Sequence, residues 1–125
     1  MTATTRVFVY GSLLSGEANH RLLARARRVG EARTAPGFAL HDLGAYPAMV
    51  AGGARAVAGQ VYDVDAKTLA RLDVLEGHPR YYRRAAIALA DGTSAETYLL
   101  THAQVEGRPL IASGNWRGRR KERVG

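Results

Sequence analysis

Cysteine is absent from this chain of 125 residues. That gap removes disulfides, thiol nucleophiles and thiolate metal sites together. Long apolar runs are missing too, and none nears the roughly 20 residues that a membrane-crossing helix needs. Residues 1–6, Met-Thr-Ala-Thr-Thr-Arg, have neither the charged start nor the apolar stretch of a signal peptide. A cytoplasmic address is expected, with no membrane as partner. The four histidines (His20, His41, His78 and His102) show no HExxH spacing, and Ser12 stands outside a GxSxG context. Gly11-Ser12 does not open a phosphate loop of the GxxxxGK[ST] kind. No metal is expected.

What is present describes one globular domain. Hydrophobic residues make up 46% and charged residues 23% of the chain, and the length allows one real core but not two. The net charge is +7, and 16 of the 18 basic residues are arginine. Several of these fall in the run Arg117 to Arg123, so residues 1–118 read as the domain and 119–125 as a basic, solvated tail. Arg21, Arg25 and Arg28 recur at helical spacing, the pattern of a wet helix face. This distribution weakens a nucleic-acid reading, whose mark would be steep salt dependence.

The chain reads as an α+β fold in which a small mixed sheet curls towards a barrel and carries two short helices. Residues 6–10 form a first strand, an apolar run that breaks at Gly11-Ser12. Asn19 can cap a helix over 20–29, with Leu22, Leu23, Ala26 and Val29 inward and Gly30 as its stop. Extended pieces follow at 38–42, 46–50 and 57–64. Asp65 caps a second helix over 66–76, which Gly77 closes. A hairpin then runs over 81–90 and 95–101 around Asp91-Gly92. Trp116, the single tryptophan, is expected to dock on the body.

One carboxylate falls on an apolar face. At about 100° per residue, Leu69, Leu72 and Leu75 share one side of the second helix, with Lys67 and Arg71 opposite. Glu76 follows Leu72 by four residues and projects among them, while Asp73 falls at the rim. A carboxylate so placed either bends to solvent, pairs with Arg83 or Arg84, or acts as an acid or base with a raised pKa. Tyr81 and Tyr82 are near enough in sequence to share its surroundings.

An ordered set of motifs carries a resemblance. Tyr10-Gly11-Ser12-Leu13 and Gly16-x-x-Asn19-His20-x-x-Leu23 are followed by Asp42-Leu43-Gly44-Ala45-Tyr46-Pro47 and Gly59-Gln60-Val61-Tyr62. Then come Leu72-Asp73-Val74-Leu75-Glu76-Gly77, Tyr82-Arg83-Arg84 and Ser113-Gly114-Asn115-Trp116. From about residue 7 to 117 the chain resembles the γ-glutamylcyclotransferase-like (AIG2-like) family, departing at Asn115, where that family has Asp. The resemblance implies an α+β barrel whose pocket takes a small-molecule γ-glutamyl amide, with no cofactor. It implies Glu76 as the catalytic acid/base, and substrate contacts from Tyr10, Gly11, Ser12, Leu13 and Tyr82. Gly11 would let the backbone approach the ligand, and Tyr82 could donate to an oxyanion. The expected products are 5-oxoproline and a free amine. The competing reading is a non-catalytic module of the same fold that binds a small carboxylate or a protein.

Overall fold

The computed structural model describes residues 3–118; the basic tail expected over 119–125 lies outside them. Seven strands and one α-helix are β1 (Thr5–Val9), β2 (Arg27–Arg33), β3 (Phe38–Asp42), β4 (Pro47–Ala51), β5 (Ala58–Val64), α1 (Ala66–Glu76), β6 (Arg83–Ala88) and β7 (Ser94–Leu99). The strands make one mixed sheet in the order β2-β5-β1-β7-β4-β3, with β6 added on β7. Among the described residues no helix is long and apolar enough to cross a membrane.

The sheet branches at β7, and the branch positions everything that follows. One edge of β7 is taken by antiparallel β6 along its whole length, from Arg83↔Leu99 to Ala88↔Ser94. Its other edge serves two parallel strands in turn, β1 at Val7↔Glu96 and β4 at Met49↔Leu99. Where β1 departs and β4 arrives, a gap opens beyond Val9. Tyr10 fills its floor: its hydroxyl donates to the Tyr98 carbonyl at 2.6 Å and accepts from Met49 N at 3.1 Å. Val7, Leu40, Met49, Val50 and Val57 are fully buried in the same core, and Trp116 docks as expected.

The helix expected over 20–29 does not form. Only His20–Leu23 turns, as a 3₁₀ segment, and the chain then extends as β2 along β5. A helix of ten residues is marginal alone, and the edge of β5 offers a ladder from Arg27↔Asp63 to Arg33↔Ala58. Gly30, expected to stop a helix, instead follows a register shift between Arg28 and Gly30, with φ +150°. Such a bulge bends a strand at the cost of one unpaired residue. The arginine stripe dissolves with the helix: Arg27 faces Asp63 at 3.6 Å and Arg28 faces Glu31 at 3.2 Å.

The second helix matches expectation at both ends. Asp65 Oδ1 accepts from Thr68 N at 2.7 Å, the side-chain cap that satisfies a free first-turn amide. Gly77, at φ +67°, takes the left-handed conformation and donates to the Asp73 and Val74 carbonyls. The helix therefore ends at Glu76, with Gly77 as its cap.

Candidate active site

Two element ends meet across the gap in the sheet: the turn after β1 and the last turn of α1. The turn Tyr10-Gly11-Ser12-Leu13 directs its carbonyls into the protein. Gly11 O accepts from Leu14 N at 3.0 Å, Ser12 O from Asn19 N at 2.8 Å, and Leu13 O faces His20 Nδ1 at 3.0 Å. Its amides are used differently. Among the described residues, the N–H groups of Gly11, Ser12 and Leu13 donate to no protein acceptor. Asn19 Nδ2 donates to Ser12 Oγ at 3.0 Å, so the serine can turn its own proton outward.

The loop that follows is pinned to the sheet by one buried side chain. Gln60 Oε1 accepts from Ser15 N at 2.9 Å and from the Tyr62 hydroxyl at 3.0 Å, while its Nε2 donates to Ser15 Oγ at 3.0 Å. Arg117 adds a contact from outside, donating to the Ser15 carbonyl.

On the other wall, Leu72 is wholly buried and Leu69 packs against the core. Glu76, one turn after Leu72, is half-buried on the same side. Among the described residues its carboxylate makes no ion pair and no hydrogen bond. Burial, which disfavours the charged form, raises its pKa from 4.5 to about 7. The pairing with Arg83 or Arg84 does not occur. Arg84 instead clamps Asp73 through Nε and Nη2 at 3.0 and 3.3 Å, and reaches Glu96 at 3.2 Å. Asp73 is thus no solvated rim residue, since the Tyr98 hydroxyl also donates to it at 2.6 Å.

The turn and the carboxylate line one cavity of about 200 Å³. That is below the roughly 300–1,000 Å³ of sites for drug-sized ligands, and suits the end of a small polar metabolite. Tyr10, Gly11, Ser12, Leu13, Glu76 and Tyr82 all line it. Two expectations change in detail. The Tyr82 hydroxyl already donates to the Pro47 carbonyl at 2.7 Å, so its ring forms wall and its proton is committed elsewhere. Burial and the neighbouring Tyr10 and Glu76 push its pKa upward, which keeps it a neutral donor. Gly11 is required by Pro47, whose ring carbons would lie 2.6 Å from a Cβ there.

Beyond the residues expected from the sequence, Tyr46, Pro47, Leu75 and Tyr98 also line the cavity. Tyr46-Pro47 stood within a motif that carried the resemblance, and that was the available signal. Tyr98 gave none, being one of several apolar positions in a hairpin. Leu75, counted among the inward leucines, is 39% exposed at the cavity mouth. Among the described residues no group of three His, Asp or Glu side chains is placed to hold a metal ion.

The same architecture recurs in known proteins. The family described as "Gamma-glutamyl cyclotransferase, AIG2-like" matches residues 7–118. A Vibrio cholerae protein that carries the provisional name gamma-glutamylcyclotransferase is 47% identical over 111 residues, covering 88% of this chain and 93% of its own. The solution structure of Escherichia coli ytfP is similar with a TM-score of 0.71 and 37% identity, over 92% of this chain and 98% of that one. An AIG2-like protein from mouse is similar with a TM-score of 0.68 and 27% identity, over 78% and 77% of the two chains.

Proposed function

Because this chain belongs to the gamma-glutamyl cyclotransferase, AIG2-like family, we propose that it cleaves a γ-glutamyl amide into 5-oxoproline and a free amine. The observation that carries this reading is the pairing of Glu76, with its pKa near 7, and a turn of three uncommitted amides across one small cavity.

The chemistry follows from what each wall offers. Successive backbone N–H groups make a concave anion site, so Gly11, Ser12 and Leu13 hold the substrate's α-carboxylate. The apolar walls of Tyr10 and Tyr82 favour the folded conformer, in which the substrate's α-amine lies against its own γ-carbonyl carbon. Nitrogen and carbon then close a five-membered lactam, and the bond from that carbon to the leaving nitrogen breaks. Well-oriented intramolecular reactions reach effective molarities of roughly 10⁵–10⁸ M, so holding that conformer supplies much of the rate. Glu76 takes a proton from the attacking amine and returns one to the leaving nitrogen. One carboxyl group does both, because its pKa lies near neutrality. With Tyr82 committed to Pro47, the Ser12 hydroxyl, whose oxygen accepts from Asn19 and whose proton is spare, is the donor for the developing oxyanion.

A set of γ-glutamyl amides tests this directly, with 5-oxoproline and released amine both measured. Equal amounts of the two products are expected. Calorimetric heat of binding with neither product would show a small-carboxylate binding module instead.

A further inference from the structure

A second cleft, of about 400 Å³, adjoins the cavity. It is lined by Arg80 and Tyr81 after α1, Arg83 on β6, Leu99 opposite it on β7, and Gln104 beyond. Tyr81 belongs to both hollows. Its backbone is fixed at both ends, N–H to the Gly77 carbonyl at 2.8 Å and its own carbonyl to Gln104 Nε2 at 3.1 Å. Tyr81 is therefore a standing ridge between them.

The cavity opens towards this ridge. Tyr10, Leu13 and Tyr82 are buried within it, whereas Tyr46, Leu75 and Tyr81 are 37, 39 and 42% exposed. The hydroxyls of Tyr46 and Tyr81 meet at 3.0 Å on that side. With the γ-glutamyl end held at the turn, the rest of a substrate leaves past Tyr81.

Beyond the ridge the charge has one sign. Arg80 and Arg83 line the cleft, and no Asp or Glu does. Among the described residues neither guanidinium has an ion pair or a hydrogen bond. Arg84 is matched by Asp73 and Glu96, and Arg6 and Arg27 by Asp63. Arg25, Arg33, Arg55, Arg71 and Arg108 are as unmatched as these two, so what marks Arg80 and Arg83 is that they share one cleft without a carboxylate. Two unmatched guanidiniums beside the apolar Leu99 attract an anion and repel a cation.

We propose that this cleft is a subsite for the far end of the leaving amine, and that it selects leaving amines carrying a carboxylate several bonds from the scissile nitrogen. The inference rests on the γ-glutamyl amide reading above. The separation matters because a carboxylate next to the scissile nitrogen remains on the cavity side of Tyr81. A longer chain crosses the ring and brings its carboxylate to Arg80 and Arg83.

Three amides of equal chain length test it: the γ-glutamyl conjugates of a straight-chain ω-amino acid, of the matching alkylamine and of the matching diamine. Their distal ends are anionic, neutral and cationic. kcat/KM is expected to be about tenfold higher for the anionic end than for the neutral one, the scale of two partly solvated charge contacts. The cationic end should be poorest, and added salt should narrow the spread. In Arg80→Gln/Arg83→Gln the anionic-to-neutral ratio should fall to about one, with the melting temperature confirming a retained fold. Equal kcat/KM for the three amides in the parent protein, or a preference that survives in the double variant, overturns the subsite. Binding of the same amides by calorimetry separates the two claims. If no amide yields 5-oxoproline, the cyclotransferase reading falls. The subsite then stands if the anionic amide still binds tightest and loses that advantage in the double variant. It falls if the three bind alike.

Discussion

Gly11 and Pro47 are packed so closely that a Cβ on Gly11 would come within 2.6 Å of two ring carbons of Pro47. The contact joins the turn after β1 to the start of β4, across the gap in which the cavity lies. Pro47 is held from its other side as well, by the Tyr82 hydroxyl on its carbonyl. Gly11→Ala should therefore destabilise the protein by about 1–3 kcal/mol, the usual cost of overpacking. Pro47→Ala in the same chain should recover part of that loss. A double-mutant cycle in thermal denaturation measures the coupling. Additive effects would mean that the turn and β4 adjust independently.

Glu76→Gln should lower kcat by about 10²–10⁴, the usual contribution of general acid–base catalysis, with a much smaller change in KM. Retention of a third or more of the turnover would remove Glu76 from the proton-transfer role.

The same carboxylate should shape two pH profiles. As a base it acts when ionised, so kcat/KM should rise with pH through a midpoint of about 7. The sign for stability is opposite. Burial raises the folded pKa above its unfolded value, so between 4.5 and about 7 the folded state binds more protons. Stability from this group is complete below that window and is lost as pH rises through it. Glu76→Gln should thus be more stable than the parent at about pH 8, by about 1–3 kcal/mol, and similar to it at about pH 4. Melting temperatures at the two pH values decide it.

Asp73→Asn weakens the acceptor for Arg84 and Tyr98, both of which bond to it. The expected loss is about 1–3 kcal/mol. Turnover should fall by less than about tenfold, since Asp73 does not line the cavity while Glu76 does. Chemical denaturation beside a kinetic assay separates this structural role from the catalytic one.

Gln60→Leu removes the anchor of the loop behind the turn and leaves Ser15 N and the Tyr62 hydroxyl without it. A destabilisation of about 2 kcal/mol is expected from two abandoned hydrogen bonds. If the turn amides hold the substrate carboxylate, KM should rise more than kcat falls. Unchanged KM would mean that the turn keeps its shape without Gln60.

Local chemistry that the chain spells out residue by residue was determined by the sequence itself. Asp65 and Gly77 bound α1 because a capping carboxylate and a left-handed glycine act within a few residues of themselves. The place of Glu76 beside Leu72 is equally local, being one helical turn. The hairpin, too, was legible from Asp91-Gly92 and its flanks. Partners distant in the chain were decided only by the tertiary structure. Residues 27–29 read as the end of a helix, yet the exposed edge of β5 claims them as the start of a strand, because a ladder of interstrand hydrogen bonds outweighs the marginal stability of a short helix. The branching of β7 between β1 and β4 has no trace in any local pattern, and it makes the gap. Asp73 and Glu76 are both carboxylates on one helix. Folding brings Arg84 and Tyr98 to the first and leaves the second partly buried without a bonded partner, and the different environments set their different chemistry.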